Sequence, residues 1–305
     1  MNYRNAALSV VGALAALSLV GCASTTIATK SGSDPKTIAV VASTDVWGSI
    51  ASSVGGKYVS VTSIIDKPDQ DPHEYEADAQ TQLSLSKAEV VVENGGGYDD
   101  FVGRMLKATA NREAEVINAV EISGKRAAAG EELNEHVWYD FPTVEKVIDR
   151  ITSEYTALAP SHSSAFTKNA ASLKAKIESL EQKEEAIKAR HSGENVSITE
   201  PVPLYMLQAM GLVNRTPTAF SSAIEEDTDV APLLLQQTLS LYTTHTVRLL
   251  AYNEQTTGPQ TEAVLKAAKK NSIPVVPVTE TLPAGTTYTS WMSANVNAIG
   301  EALDK

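Results

Sequence analysis

The most constraining feature of this chain is an alternation of short apolar runs with helical patterns, interrupted once by a long charged helical stretch. From residue 37, strand-like runs at 37–42, 59–65 and 90–93 alternate with helical patterns at 46–54 and 77–86. Parallel strands need a crossover, usually a helix, so this rhythm predicts βαβ units and a parallel sheet. It resumes with strands at 196–199, 247–252 and 273–279, helices at 201–210 and 260–269, and a last helix at 288–303. The expected fold class is α/β, with two similar lobes of parallel sheet and no residue-level repeat between them.

Residues 142–191 separate the two sets. They read as charged helix, broken at Pro160 and resuming with Ser161 or Ser163 as the N-cap. Phe166, Leu173, Ile177, Leu180 and Ile187 recur at spacings of 7, 4, 3 and 7, which places them on one stripe. A helix of roughly 28 residues is about 42 Å long, more than one lobe needs. It is therefore expected to be the backbone joining the lobes, with the first lobe at 37–160, the helix at 161–191 and the second lobe at 192–305.

The start of the chain has a different character. Arg4 precedes an apolar run from Ala6 to Val20, ending in Leu19-Val20-Gly21-Cys22. That run is too short to span a bilayer comfortably. The segment resembles a bacterial lipoprotein signal. The resemblance implies that residues 1–21 are removed, that Cys22 carries the lipid anchor, and that the Ser/Thr-rich residues 22–36 form a flexible tether to an extracytoplasmic body.

Charge and cysteine content narrow the partners. Thirty-seven acidic against 25 basic residues give a net charge of -12, which disfavours nucleic acid and favours cations. The lone cysteine excludes an internal disulfide and any cysteine-built metal cluster, leaving imidazole and carboxylate as metal ligands.

Candidate chemistry lies in loops. Asp71-Pro72-His73-Glu74-Tyr75-Glu76 and Asn134-Glu135-His136-Val137-Trp138-Tyr139-Asp140 each present a histidine among carboxylates, and the two imidazoles are 63 residues apart. Glu200 follows the strand at 196–199 and precedes Pro201, as in a first helical turn. Glu280 holds the equivalent place after 273–279. Open α/β sheets bind ligands at such carboxyl ends of strands, although an acidic residue there also suits a helix dipole. Gly95-Gly96-Gly97 has the wrong spacing for a dinucleotide loop and reads as a turn. Asn253 suits a wall or supporting role. His191 reads as a helix C-terminal charge, His162 lies at the start of the long helix, and His245 precedes the strand at 247–252. Trp138 is a candidate cleft wall, whereas Trp47 and Trp291 suit packing.

Taken together with Val278-Thr279-Glu280-Thr281-Leu282-Pro283, Thr199-Glu200-Pro201 and the terminal Tyr288-Thr289-Ser290-Trp291-Met292, these stretches resemble the metal-receptor lipoproteins of manganese and zinc ABC importers, from Cys22 to Leu303. The resemblance implies two lobes on a rigid backbone helix, with the metal in the interlobe cleft. It also implies His73, His136, Glu200 and Glu280 as ligands, two from each lobe. Much of the family has Asp where this chain has Glu280, and the long His-rich loop of some zinc receptors is lacking. The implied partners are an ABC permease and its ATPase, with the receptor itself a monomer on the bacterial cell membrane.

Two neutral imidazoles and two carboxylates carry a charge of about -2, which balances a divalent cation. This donor set accepts Mn²⁺, Zn²⁺ or Fe²⁺. A cation that relieves carboxylate repulsion should tighten the cleft, and the long helix should keep that motion small. The rival expectations are a metal-dependent hydrolase and a surface adhesion lipoprotein with a structural metal. A hydrolase commonly carries a compact two-histidine helix motif or several aspartates around paired metals, and neither is present. The reading is therefore of a binding protein, not an enzyme.

Overall fold

The computed structural model describes residues 37–67, 75, 78–127 and 132–305, so Cys22 and His73 lie outside the described residues. From Lys36 onward the chain packs as one unit. The first part contains β1 (Ile38–Thr44), α1 (Asp45–Gly55), β2 (Val59–Ile65), α2 (Ala79–Lys87), β3 (Val90–Glu93), α3 (Asp100–Thr109), β4 (Glu115–Asn118) and α4 (Ala119–Ser123). Two long helices follow, α5 (Phe141–Leu158) and α6 (Ser163–His191). The last part contains β5 (Asn195–Ile198), α7 (Leu204–Ala209), β6 (Val213–Asn214), α8 (Thr218–Glu225), α9 (Pro232–Thr243), β7 (Leu250–Asn253), α10 (Pro259–Lys270), β8 (Val275–Val278) and α11 (Tyr288–Leu303).

The strands form two four-stranded sheets ordered β2-β1-β3-β4 and β6-β5-β7-β8, so the two halves wind in the same order without repeating residues. Every pair is parallel, with Val40 of β1 opposite Val61 on one side and Val90 on the other. Val40, Val41 and Val90 to Val92 are all buried, as expected where helices cover both faces of a parallel sheet.

The stripe on α6 is what unites the halves. Phe166, Ala170, Leu173, Ile177, Leu180 and Ile187 are buried in one continuous core that also takes residues from both sheets. Burying each of the Phe, Leu and Ile side chains contributes about 1.5–3 kcal/mol. Helix α11 lies close against α6 because Gly300 lacks a side chain; a Cβ there would sit 3.2 Å from Ile187 Cδ1.

Two local expectations need correction. Neither Ser161 nor Ser163 caps α6, since a 3₁₀ turn at Pro160–His162 runs directly into it and the Ser163 N–H donates to the Pro160 carbonyl. The helix expected at 201–210 starts only at Leu204. Pro201 and Pro203 each push the preceding residue out of helical geometry, so Glu200 occupies a bend instead of a first turn. The strands β4 and β6 escaped notice because they are short and carry polar residues: Glu115 and Val116 of β4 are exposed.

Candidate metal centre

The site is assembled where loops at the carboxyl ends of strands from both sheets meet. Asp45, just after β1, accepts a bond from the Leu282 N–H beyond β8 at 3.1 Å. Burial raises its carboxyl to about 6 despite that bond. Tyr139 donates to the Thr279 carbonyl at 2.9 Å, and Tyr288 donates to the Trp138 carbonyl at 2.6 Å. These contacts fix the segment around His136 against the segment around Glu280.

The triple glycine after β3 shapes the first-sheet side. Gly95, Gly96 and Gly97 have φ of 78°, 73° and 102°, so the segment is the expected turn, in a region that L side chains avoid. Buried Asp99 closes it by accepting the N–H groups of Asn94 at 2.6 Å and Gly95 at 2.8 Å. The turn delivers Tyr98, whose hydroxyl donates to Glu280 Oε2 at 3.1 Å.

His136 has no exposed surface. The Trp138 ring stands edge-on to it at 5.0 Å and Tyr98 at 6.0 Å, so Trp138 does form a wall beside the imidazole. Its Nδ1 lies 2.7 Å from Asn134 Oδ1, and its Nε2 lies 4.0 Å from Glu280 Oε2. A tetrahedral ion with bonds near 2.1 Å holds its donors about 3.4 Å apart, so this gap admits a divalent cation after a small inward adjustment.

Glu280 is held from several sides. Asn253 Nδ2 donates to Oε1 at 2.9 Å, the supporting role expected of that residue. The Gln255 side-chain oxygen accepts the backbone N–H groups of Glu280 and Thr281. Glu280 and Glu200 are only 4% and 3% exposed, a degree of burial that carboxylates reach only rarely and when paired.

The structure adds a carboxylate that sequence reasoning missed. Glu225, the last residue of α8, places Oε1 3.5 Å from His136 Nδ1. Ligand atoms of Glu135, His136 and Glu225 lie within 4.8 Å of one another. Burial first, then the charges of Glu135, Glu200 and Glu280, push the Glu225 carboxyl far above the usual carboxylate range. In sequence, Glu225-Glu226-Asp227 reads as a solvated charge run, and nothing in its spacing distinguishes the residue that turns inward. Tyr98 was likewise hidden, its only signal being its place after a glycine turn at a strand end.

Thus His136 and Glu280 face each other, and Glu200 enters the same electrostatic cluster through Glu225. A cleft of 1280 Å³ opens beside them, lined by Glu132, Glu135, Glu225, Glu226, Asp227 and Arg126 among others. The remaining histidines do other work. His162 stacks on Tyr58 at 4.0 Å, His191 sits between Glu194 and Asp304 at 3.1 and 3.0 Å, and His245 is exposed. Trp47 and Trp291 are packed in the core, as expected.

Solved structures share this architecture. The solute-binding protein FpvC from Pseudomonas aeruginosa in complex with Mn²⁺ superposes with a TM-score of 0.72 at 19% identity, covering 88% of this chain and 99% of that one. A Cd-bound periplasmic metal binding protein from Candidatus Liberibacter asiaticus gives 0.70 at 16% identity, covering 88% and 100%. The chain belongs to the family described as zinc-uptake complex component A, periplasmic, whose sequence profile matches residues 40–302. The manganese-binding lipoprotein MntA of Bacillus subtilis is 31% identical over 150 residues, 47% of each chain. A manganese-binding lipoprotein MntA of Halalkalibacterium halodurans is 26% identical over 171 residues, 55% of this chain and 54% of that one. The chain thus spans about half the length of these two lipoprotein relatives.

Proposed function

We propose that this protein captures one divalent transition metal, Mn²⁺ or Zn²⁺, outside the cytoplasm and delivers it to the permease and ATPase of an ABC importer. The ligands in this reading are His73, His136, Glu200 and Glu280, with Glu225 against the imidazole. The observation that carries it is the 4.0 Å approach of His136 Nε2 to Glu280 Oε2 in a buried pocket rich in carboxylates. The family description favours zinc and the named relatives favour manganese. The donor set of imidazole nitrogen and carboxylate oxygen accepts both, and ferrous iron as well.

The mechanism follows from charge. Without a cation, Glu200 and Glu280 repel each other across a low-dielectric pocket; an ion removes that repulsion and draws donors together from both sheets. Because α6 and the core it organises run through both halves, closure is a matter of side chains and loops. Release requires the permease to separate His136 from Glu280. The protein acts as a monomer, with lobes at 37–160 and 192–305 about the helix at 161–191. Cys22 carries the lipid anchor, which the relatives' designation as lipoproteins supports; among the described residues no helix is long and apolar enough to cross a membrane.

The test is elemental analysis of the purified protein and of His73→Ala and Glu280→Ala. One ion per chain, lost in both variants, is expected; two ions, or turnover of an ester or amide, overturns the reading. Thermal shift at matched free Mn²⁺ and Zn²⁺ ranks the cargo, because stabilisation grows as ln(1 + [L]/Kd). Cys22→Ser should release the protein from membranes.

A further inference from the structure

The loop before His136 carries a side chain that touches both halves of the site. Asn134 Oδ1 accepts the His136 backbone N–H at 3.1 Å and lies 2.7 Å from His136 Nδ1. Its Nδ2 donates to the Pro201 carbonyl at 3.1 Å, one residue beyond Glu200. Its own carbonyl accepts the Tyr205 hydroxyl at 2.7 Å.

These contacts fix the amide without ambiguity. A backbone N–H only donates and a backbone carbonyl only accepts, so the oxygen of Asn134 must face His136 and its NH₂ must face Pro201. An amide oxygen can only accept, so the imidazole proton sits on Nδ1. The lone pair is then left on Nε2, the nitrogen that faces Glu280 Oε2. A carboxylate at this position would keep the acceptor but lose the donor to Pro201, and it would add charge beside Glu225 and Glu280.

We propose that Asn134 is a positioning residue that sets His136 as an Nε2 donor and ties it to the bend carrying Glu200, so that the ligands of the two halves are presented together. The proposal deepens the metal-receptor reading and rests on it for its consequence, but the tautomer claim stands apart. Partners behind a ligating histidine fix its tautomer and orientation, and losing one typically costs 10–100-fold in metal affinity.

The experiment has two readouts on the purified protein, Asn134→Leu and Asn134→Asp. The first is the ¹⁵N shift pair of the His136 ring in metal-free protein. The second is Mn²⁺ and Zn²⁺ affinity by competition with a chelator. In the unaltered protein we expect the Nδ1–H form; Asn134→Leu should shift the ring toward Nε2–H and weaken both metals by about 10–100-fold. Asn134→Asp should keep the Nδ1–H form yet still lose affinity, through the broken tie to Pro201. An Nε2–H ring in the unaltered protein overturns the proposal without any variant. So does Asn134→Leu with unchanged ring and affinity within about threefold, below the range such contacts give. If the unaltered protein binds no metal, the receptor reading fails, while the ring shifts still decide the role of Asn134.

Discussion

The two sides of the candidate site are chemically unlike. The first-sheet side offers a buried imidazole backed by a neutral amide and walled by Trp138 and Tyr98. The second-sheet side offers Glu200 just beyond β5, Glu225 at the end of α8 and Glu280, which the Asn253 amide holds. The first side therefore supplies shape, a nitrogen donor and exclusion of water, with Glu135 adding one carboxylate; the second supplies most of the charge. In the proposed reading neither side alone completes the metal site, and affinity depends on how the core holds the two together.

The comparison is broken most severely by removing a donor. His136→Ala should lower Mn²⁺ and Zn²⁺ affinity on the order of a thousandfold, about 4 kcal/mol, by chelator competition. Near-unchanged affinity would place the site elsewhere. Next comes the core that holds the two sides together. Ile177 on α6 is fully buried, and Ile177→Ala should cost about 2–5 kcal/mol. Because the core is continuous, urea unfolding followed by tryptophan fluorescence and by circular dichroism should shift as one transition. Two separated transitions would show that the halves are independent.

Tyr98→Phe sharpens the comparison, because it removes the hydrogen bond that the aromatic side donates to Glu280 Oε2. A loss of about 10–100-fold in metal affinity is expected, with little change in thermal stability. The smallest effect concerns the strut. Glu184 on α6 is 4% exposed, and burial, then Glu181, Asp140 and Glu185, push its carboxyl up to about 8. Its pKa is raised in the folded state, so this group supports stability at low pH and withdraws that support as pH rises through 8. Glu184→Gln should therefore stabilise the protein by about 1–2 kcal/mol at pH 9 and change little at pH 5, read from Tm across pH. A gain that is equal at both pH values would contradict the assignment.

Much of the fold was legible because the physics that encodes it is local. The α6 stripe of Phe166 to Ile187 and the valine runs of β1 and β3 repeat at the periods of helix and buried parallel strand. Polar edge strands such as β4 carry no such period, and the two prolines after Glu200 delayed a helix that hydropathy alone extends. In the site, His136, Glu200 and Glu280 were readable as chemistry-bearing residues next to strand ends or in a His-carboxylate loop. Glu225 was not, because its place at the end of α8 looks the same in sequence whether it faces water or an imidazole.

By itself the sequence determined the α/β alternation, the long charged helix, the absence of cysteine ligands and the supply of imidazoles and carboxylates, since each follows from residue type and spacing. Only the tertiary structure decided which groups meet. Packing of both sheets on α6 brings Tyr98 to Glu280, turns Glu225 inward and stretches Asn134 between His136 and Pro201. Contacts between residues far apart in the chain depend on how buried surfaces fit together, and no local period records that.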